Sequence, residues 1–239
     1  FIFLECAVLV GAGDGLVKYE SPHSNVAFEL FQFPKDAIPR IDGNLDDWDM
    51  VPKRYTYGSS LLNDTEDGHG TDIDSKDIDV NVTLGWVKGL NRIYIRYEAY
   101  DDYWDFGRFN SNGYLNDIFE IVVDGDMSGG PFIFNPLLLP EDNRDRNDPA
   151  FLENHFRFSG VHAQNYHFYT PMVNNAWVLV WGNQHWISEF PHSNYAYSYD
   201  FEHGESGSLV LECWITPYDY APYDRPEDAV VSQLKENER

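Results

Sequence analysis

Two runs of apolar/polar alternation, joined by a turn, restrict this chain more than any other stretch. Val80, Val82, Leu84 and Trp86 fall on one side of the first run, with Asn81, Thr83 and Gly85 on the other. Ile93, Ile95, Tyr97 and Ala99 share a side of the second, opposite Tyr94, Arg96, Glu98 and Tyr100. A period of two is the period of a β-strand. The intervening Lys88-Gly89-Leu90-Asn91 is a turn signal, so the stretch predicts a hairpin with one dry face. A dry face needs a second layer to cover it. The expectation is an all-β chain, an antiparallel β-sandwich with jelly-roll or immunoglobulin-like layers.

Other segments fit that plan. Val26 to Phe33 is β-rich, with Phe28, Leu30 and Gln32 pointing one way and Phe31 and Phe33 the other. Asp117 to Asp126 encloses a strand, and so do Trp177 to Trp181, Tyr195 to Tyr199 and Leu209 to Pro217. The glycines of Gly204-Glu205-Ser206-Gly207 turn the chain into the last of these. At most one or two short helices are expected, one of them capped by Asp224-Arg225-Pro226-Glu227 and running from Pro226 to about Leu234. The 239 residues read as one domain. A long excursion rich in Pro, Asp, Asn and Gly interrupts it around residues 129–165. Residues 1–13 are either an extra strand with a Gly-rich turn or the remnant of a signal peptide. The two cysteines, Cys6 and Cys213, fix no pairing, because geometry decides that.

Ile38 to Trp48 has a different character. Asp42-Gly43 marks a tight turn, and Pro39 biases Ile38 towards extended backbone. The segment predicts a short strand, a turn, and a polar loop that delivers Trp48 to the end of a core.

Charge narrows the function. There are 40 acidic and 16 basic residues, a net charge of −24. Nucleic acid and anionic membrane surfaces need clustered Lys and Arg, so neither is an expected partner. The acidity serves either solvation or cation binding, with Ca²⁺ the natural guest for clustered carboxylates. Asn63 to Asp79 carries seven acidic residues but does not match an EF-hand loop, and it reads as a solvated loop. The strand ends at Asp101, Asp102, Asp117 and Asp124 are the candidate places for a structural calcium. No Cys/His zinc spacing is present, and His155, His162 and His167 lack metal-ligand spacing.

The chemistry-bearing residues favour binding over bond breaking. Trp181 and Trp186 flank Gly182-Asn183-Gln184-His185, which places amides beside indoles. Amides bond sugar hydroxyls and indoles cover the apolar face of a pyranose, although any one Trp can equally be core packing. Glu120 lies among apolar strand residues, where a bare carboxylate is costly. It needs Arg96, a cation or a sugar hydroxyl as a partner. The chain contains no nucleophile elbow, P-loop, G-x-G-x-x-G or H-E-x-x-H motif. Paired carboxylates of the glycoside-hydrolase kind have no specific support among so many acids.

Three segments resemble the family 9 carbohydrate-binding modules. Ile41-Asp42-Gly43-Asn44-Leu45-Asp46-Asp47-Trp48 is similar to the family's N-terminal I-D-G-x-L-D-x-W. Tyr114 to Asp124 is similar to W-x-x-D-x-x-E-x-x-x-D, with Tyr114 at the Trp position, then Asp117, Glu120 and Asp124. Glu212 to Pro217 resembles a late E-x-x-I-P strand with one inserted Thr. The resemblance implies a β-sandwich that binds a mono-, oligo- or polysaccharide without cutting it. It implies a sugar held between two rings, drawn from Tyr114 or Trp104 and from Trp181 or Trp186. It further implies a secreted, periplasmic or cell-surface setting and association with other domains of a carbohydrate-processing system. The alternatives are a scaffold that kept the fold without the sugar site, and a glycoside-active enzyme.

Overall fold

A computed structural model describes residues 28–61, 72–108, 115–126, 160–169, 171 and 184–236, and the backbone of 177–180. The elements in chain order are β1 (Phe31–Gln32), β2 (Thr56–Gly58), β3 (Ile78–Trp86), β4 (Ile93–Asp101), β5 (Phe119–Val123), β6 (Gln164–Tyr169), β7 (Trp177–Val180), β8 (Ser193–Tyr199), β9 (Gly207–Ile215), β10 (Tyr218–Tyr220) and β11 (Val230–Val231). Short 3-10 turns lie between them, and no α-helix occurs among the described residues. The chain is all-β in this sense.

The alternating hairpin forms as its pattern requires. β3 pairs antiparallel with β4 from Ile78↔Asp101 to Trp86↔Ile93. The turn between them uses positive φ at Gly89 and Asn91. The pair seeds a six-stranded sheet in the order β1-β3-β4-β9-β8, with β2 also on β3. β1 and β2 share one edge of β3 end to end, β1 parallel at Gly85 and Trp86 and β2 antiparallel at Asn81 to Thr83. A separate three-stranded antiparallel sheet has the order β5-β6-β7, and β10 with β11 makes a small ribbon.

The inward faces of the two sheets meet in one core. Val80, Val82, Leu84, Ile95, Tyr97, Leu211 and Ile215 of the large sheet share a buried cluster with Phe119, Ile121, Val123, Tyr166 and Phe168 of the small one. The Tyr97 and Phe119 rings stack across the junction at 4.1 Å. Cys213 also lies in this core as a free thiol, with burial pushing its pKa up, while Cys6 is outside the described residues.

The far side of the large sheet is not simply polar. Phe33, Trp48, Val87, Tyr94 and Trp214 form a second buried cluster there. Gly85 makes this possible: a Cβ on it would sit 2.2 Å from the Phe33 ring. The hairpin's polar side is therefore dry at one end, because the segment from Phe31 to Val51 folds over it. Within 28–33 the alternation holds: Phe28 and Leu30 pack on the first core, Phe31 and Phe33 on the second.

Four expectations change. No strand forms at Ile38 to Ile41, where β1 and β2 already occupy the edge of β3. The helix expected from Pro226 to Leu234 is a single 3-10 turn, Pro226–Asp228, after which Val230 and Val231 pair with β10. Their branched side chains suit a strand, and the ribbon supplies a partner. The excursion around 129–165 ends before Gln164 and Asn165, which belong to β6; residues 127–159 lie outside the described region. The polar loop taken to Asp79 gives way at Ile78, where β3 begins.

Candidate functional site

Two glutamates mark the outward faces of the two sheets. On the large sheet, Glu212 of β9 is 0 % exposed. Its Oε1 accepts the backbone N–H groups of Asp42 (2.9 Å) and Gly43 (2.6 Å), and its Oε2 accepts the Trp48 indole N–H (2.9 Å). Gly43 takes φ of 83°, and Asn44 caps the turn Leu45–Trp48 by accepting from the Asp46 N–H. The Asp-Gly turn and the Trp thus close on one carboxylate from the far end of the chain. This is a structural latch, with every identified donor supplied by backbone or by a buried ring.

On the small sheet the arrangement is different. β6 alternates Gln164, Tyr166 and Phe168 towards the core with Asn165, His167 and Tyr169 on the opposite face. Glu120 of β5 pairs across from His167 and shares that outer face. Both the Asn165 amide nitrogen and His167 Nε2 reach Glu120 Oε1, the latter at 2.9 Å. The carboxylate assigns the Nε2–H tautomer to His167, which leaves Nδ1 as an acceptor facing the Tyr169 hydroxyl at 3.4 Å. Burial pushes the Glu120 carboxyl up, but the hydrogen bond and charge of His167 with the Asn165 bond outweigh it. The group is held below the ordinary glutamate value. Burial and the Glu120 charge push Tyr169 up to about 12, so its hydroxyl stays protonated. Asn165 is 1 % exposed, and among the described residues its Oδ1 meets no hydrogen-bond donor.

That orphan acceptor is informative. A buried polar atom left unpaired costs roughly 1–3 kcal/mol. Here it stands in a network whose other members are held in place by one another.

The residues expected from the sequence distribute unevenly around this cluster. Glu120 belongs to it, but its partner is the His167–Asn165 pair; Arg96 is engaged with Glu98 at 2.7 Å on the large sheet. Trp104 offers no open platform. It is 3 % exposed, its ring stacks on Phe201 at 4.6 Å, and its indole N–H goes to the Gly207 carbonyl. Gln184 is fully buried, with its amide donating to the Ala221 carbonyl. Trp186 is half-buried, donates to the Pro222 carbonyl at 2.9 Å, and stands edge-on to His192 and Tyr218. Tyr114, Trp181 and Asn183 lie outside the described residues. His167, Asn165 and Tyr169 were not singled out as a site. The signal available for them was three polar-tipped residues at i, i+2 and i+4 in a run that reads as a strand.

The carboxylates expected to hold calcium do not gather. Among the described residues no group of three Asp, Glu, His or Cys side chains is placed to hold a metal ion. Asp117 and Asp124 flank opposite ends of β5, whose five residues alone span roughly 13 Å at about 3.3 Å per residue step. Asp101 and Asp117 do interact. Burial, then the charges of Asp117, Asp77 and Asp102, push Asp101 up to about 6 against a bond from the Tyr103 N–H.

Comparisons with protein-family models, curated proteins and solved structures find no match. Among the described residues no helix is long and apolar enough to cross a membrane.

Proposed function

We propose that this protein is a non-catalytic sugar-binding β-sandwich whose recognition site is the outer face of the three-stranded sheet at Glu120, Asn165, His167 and Tyr169. The observation that carries the reading is the buried, unpartnered Asn165 Oδ1 beside a carboxylate fixed by two side-chain donors. Sugar hydroxyls are bound by such groups: carboxylates and amides arranged in advance, so that little ordering remains to be done on binding. Glu120 also falls within the middle one of the three motif resemblances. The two sheets that share one core support the sandwich part of the reading.

Glu120 is held ionised, which suits a hydrogen-bond acceptor. Tyr169 is held protonated and is a poor nucleophile.

A scaffold that kept the fold and lost the sugar is the second reading. Trp104, Gln184 and Trp186 favour it, because all three are committed to internal packing. Isothermal calorimetry of the full chain against a glycan panel separates the two. Sugar binding that Glu120→Gln abolishes, with the melting temperature preserved, is the expected result. No affinity for any member overturns the sugar reading.

A further inference from the structure

We infer that Arg92 and Phe190 form a docking site for a peptide that carries a carboxylate beside an apolar residue. The carboxylate meets the guanidinium and the apolar residue meets the exposed ring. The inference is independent of the sugar reading.

The site is built on Trp214. That residue lies on the outer face of β9, opposite Tyr94 of β4, and both belong to the second buried cluster. The Arg92 guanidinium lies over the Trp214 ring, with Cζ 3.8 Å from a ring centroid. Phe190 stands edge-on to the same residue at 6.4 Å. One indole thus brings a cation and an apolar ring together. Phe190 is 78 % exposed, the most open of the large hydrophobic residues described. Its turn is tied on both sides. The Glu189 carbonyl accepts the N–H groups of His192 (2.8 Å) and Ser193 (3.2 Å), and the Glu189 N–H donates to the Trp186 carbonyl (3.4 Å). The ring is held outward by an ordered turn.

Arg92 differs from its fellow arginines. Arg40, Arg54, Arg96, Arg108 and Arg225 each have a carboxylate within 4.0 Å, and among the described residues Arg92 has none. Yet the chain carries 40 acidic residues. Even Glu189, next to Phe190, acts on His192 instead: burial lowers that imidazole and the Glu189 charge opposes the shift. The Tyr94 hydroxyl does meet the guanidinium. Burial pushes Tyr94 up, and the hydrogen bond and charge of Arg92 oppose it. A guanidinium has five N–H donors, and one hydroxyl oxygen accepts two at most. Donors therefore remain, oriented by the indole beneath them, and their fork matches a carboxylate.

The shape of the site selects a peptide. Small-molecule sites are concave and bury most of their ligand, whereas Phe190 protrudes. A protruding ring beside an arginine is a combination enriched where proteins meet. The net charge of −24 repels anions at long range, so one carboxylate with apolar support is favoured over a polyanion.

The test is titration of the isotope-labelled full chain at pH 7, followed by NMR through the Arg92 Nε–H and the backbone amides of 189–193. The probes are acetyl-Leu-Glu-Leu-amide, acetyl-Leu-Gln-Leu-amide, acetate and inorganic phosphate. The Glu peptide should shift both sets of signals with Kd of about 1 mM or below, and the other three should bind at least about tenfold more weakly. Arg92→Gln and Phe190→Ala should each weaken the Glu peptide by about fivefold or more. Phe190→Ala removes an exposed ring, so its melting temperature should stay at the native value and separate docking from folding. Equal binding of the Gln peptide, or undiminished affinity in Phe190→Ala, overturns the inference. Acetate or phosphate binding as tightly as the Glu peptide shows a bare anion site and overturns the assignment to a peptide. No shift with any probe overturns the inference outright, and each of these results leaves the sugar reading standing.

Discussion

Glu212, fully buried, and Glu120, half-buried, are both strand glutamates on outward sheet faces, yet their partners differ in kind. Glu212 receives two backbone N–H groups and an indole N–H, donors set by turn geometry and core packing. Nothing in that set can swing away without unfolding the segment it belongs to. Glu120 receives side-chain donors from one neighbouring strand, and the amide that serves it leaves its own oxygen unpaired. One carboxylate is used to close a fold. The other is held by side chains beside an amide oxygen that meets no donor among the described residues. The two acids differ in the identity of their donors and in what those donors leave unsatisfied.

The sharpest way to break this contrast is Glu212→Ala. It strands one buried and two part-buried donors at once, and a loss of roughly 3–5 kcal/mol is expected. Urea unfolding followed by tryptophan fluorescence measures it. A loss no greater than that of Glu120→Ala would erase the distinction. Trp48→Phe keeps a ring in the second core but deletes the indole donor, and should cost about 1–2 kcal/mol in the same assay.

Glu120→Gln sharpens the other half. It should change stability at neutral pH by about 1 kcal/mol or less while removing sugar affinity, because the amide keeps one acceptor oxygen. Its pH dependence has a definite sign. A carboxyl held below its unfolded value contributes stability that is present above that value, and it is lost as pH falls through the lowered folded value. The stability gap between native chain and Glu120→Gln should therefore close on acidification below about pH 4. A gap that widens in acid would contradict the ion pair.

The smallest effect is expected at Asp101, whose pKa is raised to about 6. A raised carboxyl destabilises the fold once ionised, so the cost builds as pH climbs from about 4 to 6. Asp101→Asn should then melt slightly higher than the native chain at pH 7 and coincide with it below about pH 4. Partial exposure holds the gain below about 1 kcal/mol. Thermal melts across that range check it.

Much of the scaffold could be read from local pattern. The alternation at 80–100 dictated β3, β4 and the turn between them, because side-chain period is a property of the strand itself. Gly204 and Gly207 marked the approach to β9, and Trp48 was correctly read as a plug. Harder to read was whatever depended on what lay across the strand. The indole of Trp104 looks the same in sequence whether it stacks on a ligand or on Phe201. Val230 and Val231 left the expected helix because β10 was there to pair with.

The candidate site divides along the same line. Residue order determined that Glu120 sits on a strand among apolar neighbours and must find a partner. Only the folded chain chose His167 and Asn165 over Arg96, because strand register is fixed by long-range pairing and the cores on either side. The same holds for Glu212, whose partners lie 164 to 170 residues away. Local propensity acts over a few residues, whereas a buried charge is satisfied by whichever groups the packing brings within 3 Å of it.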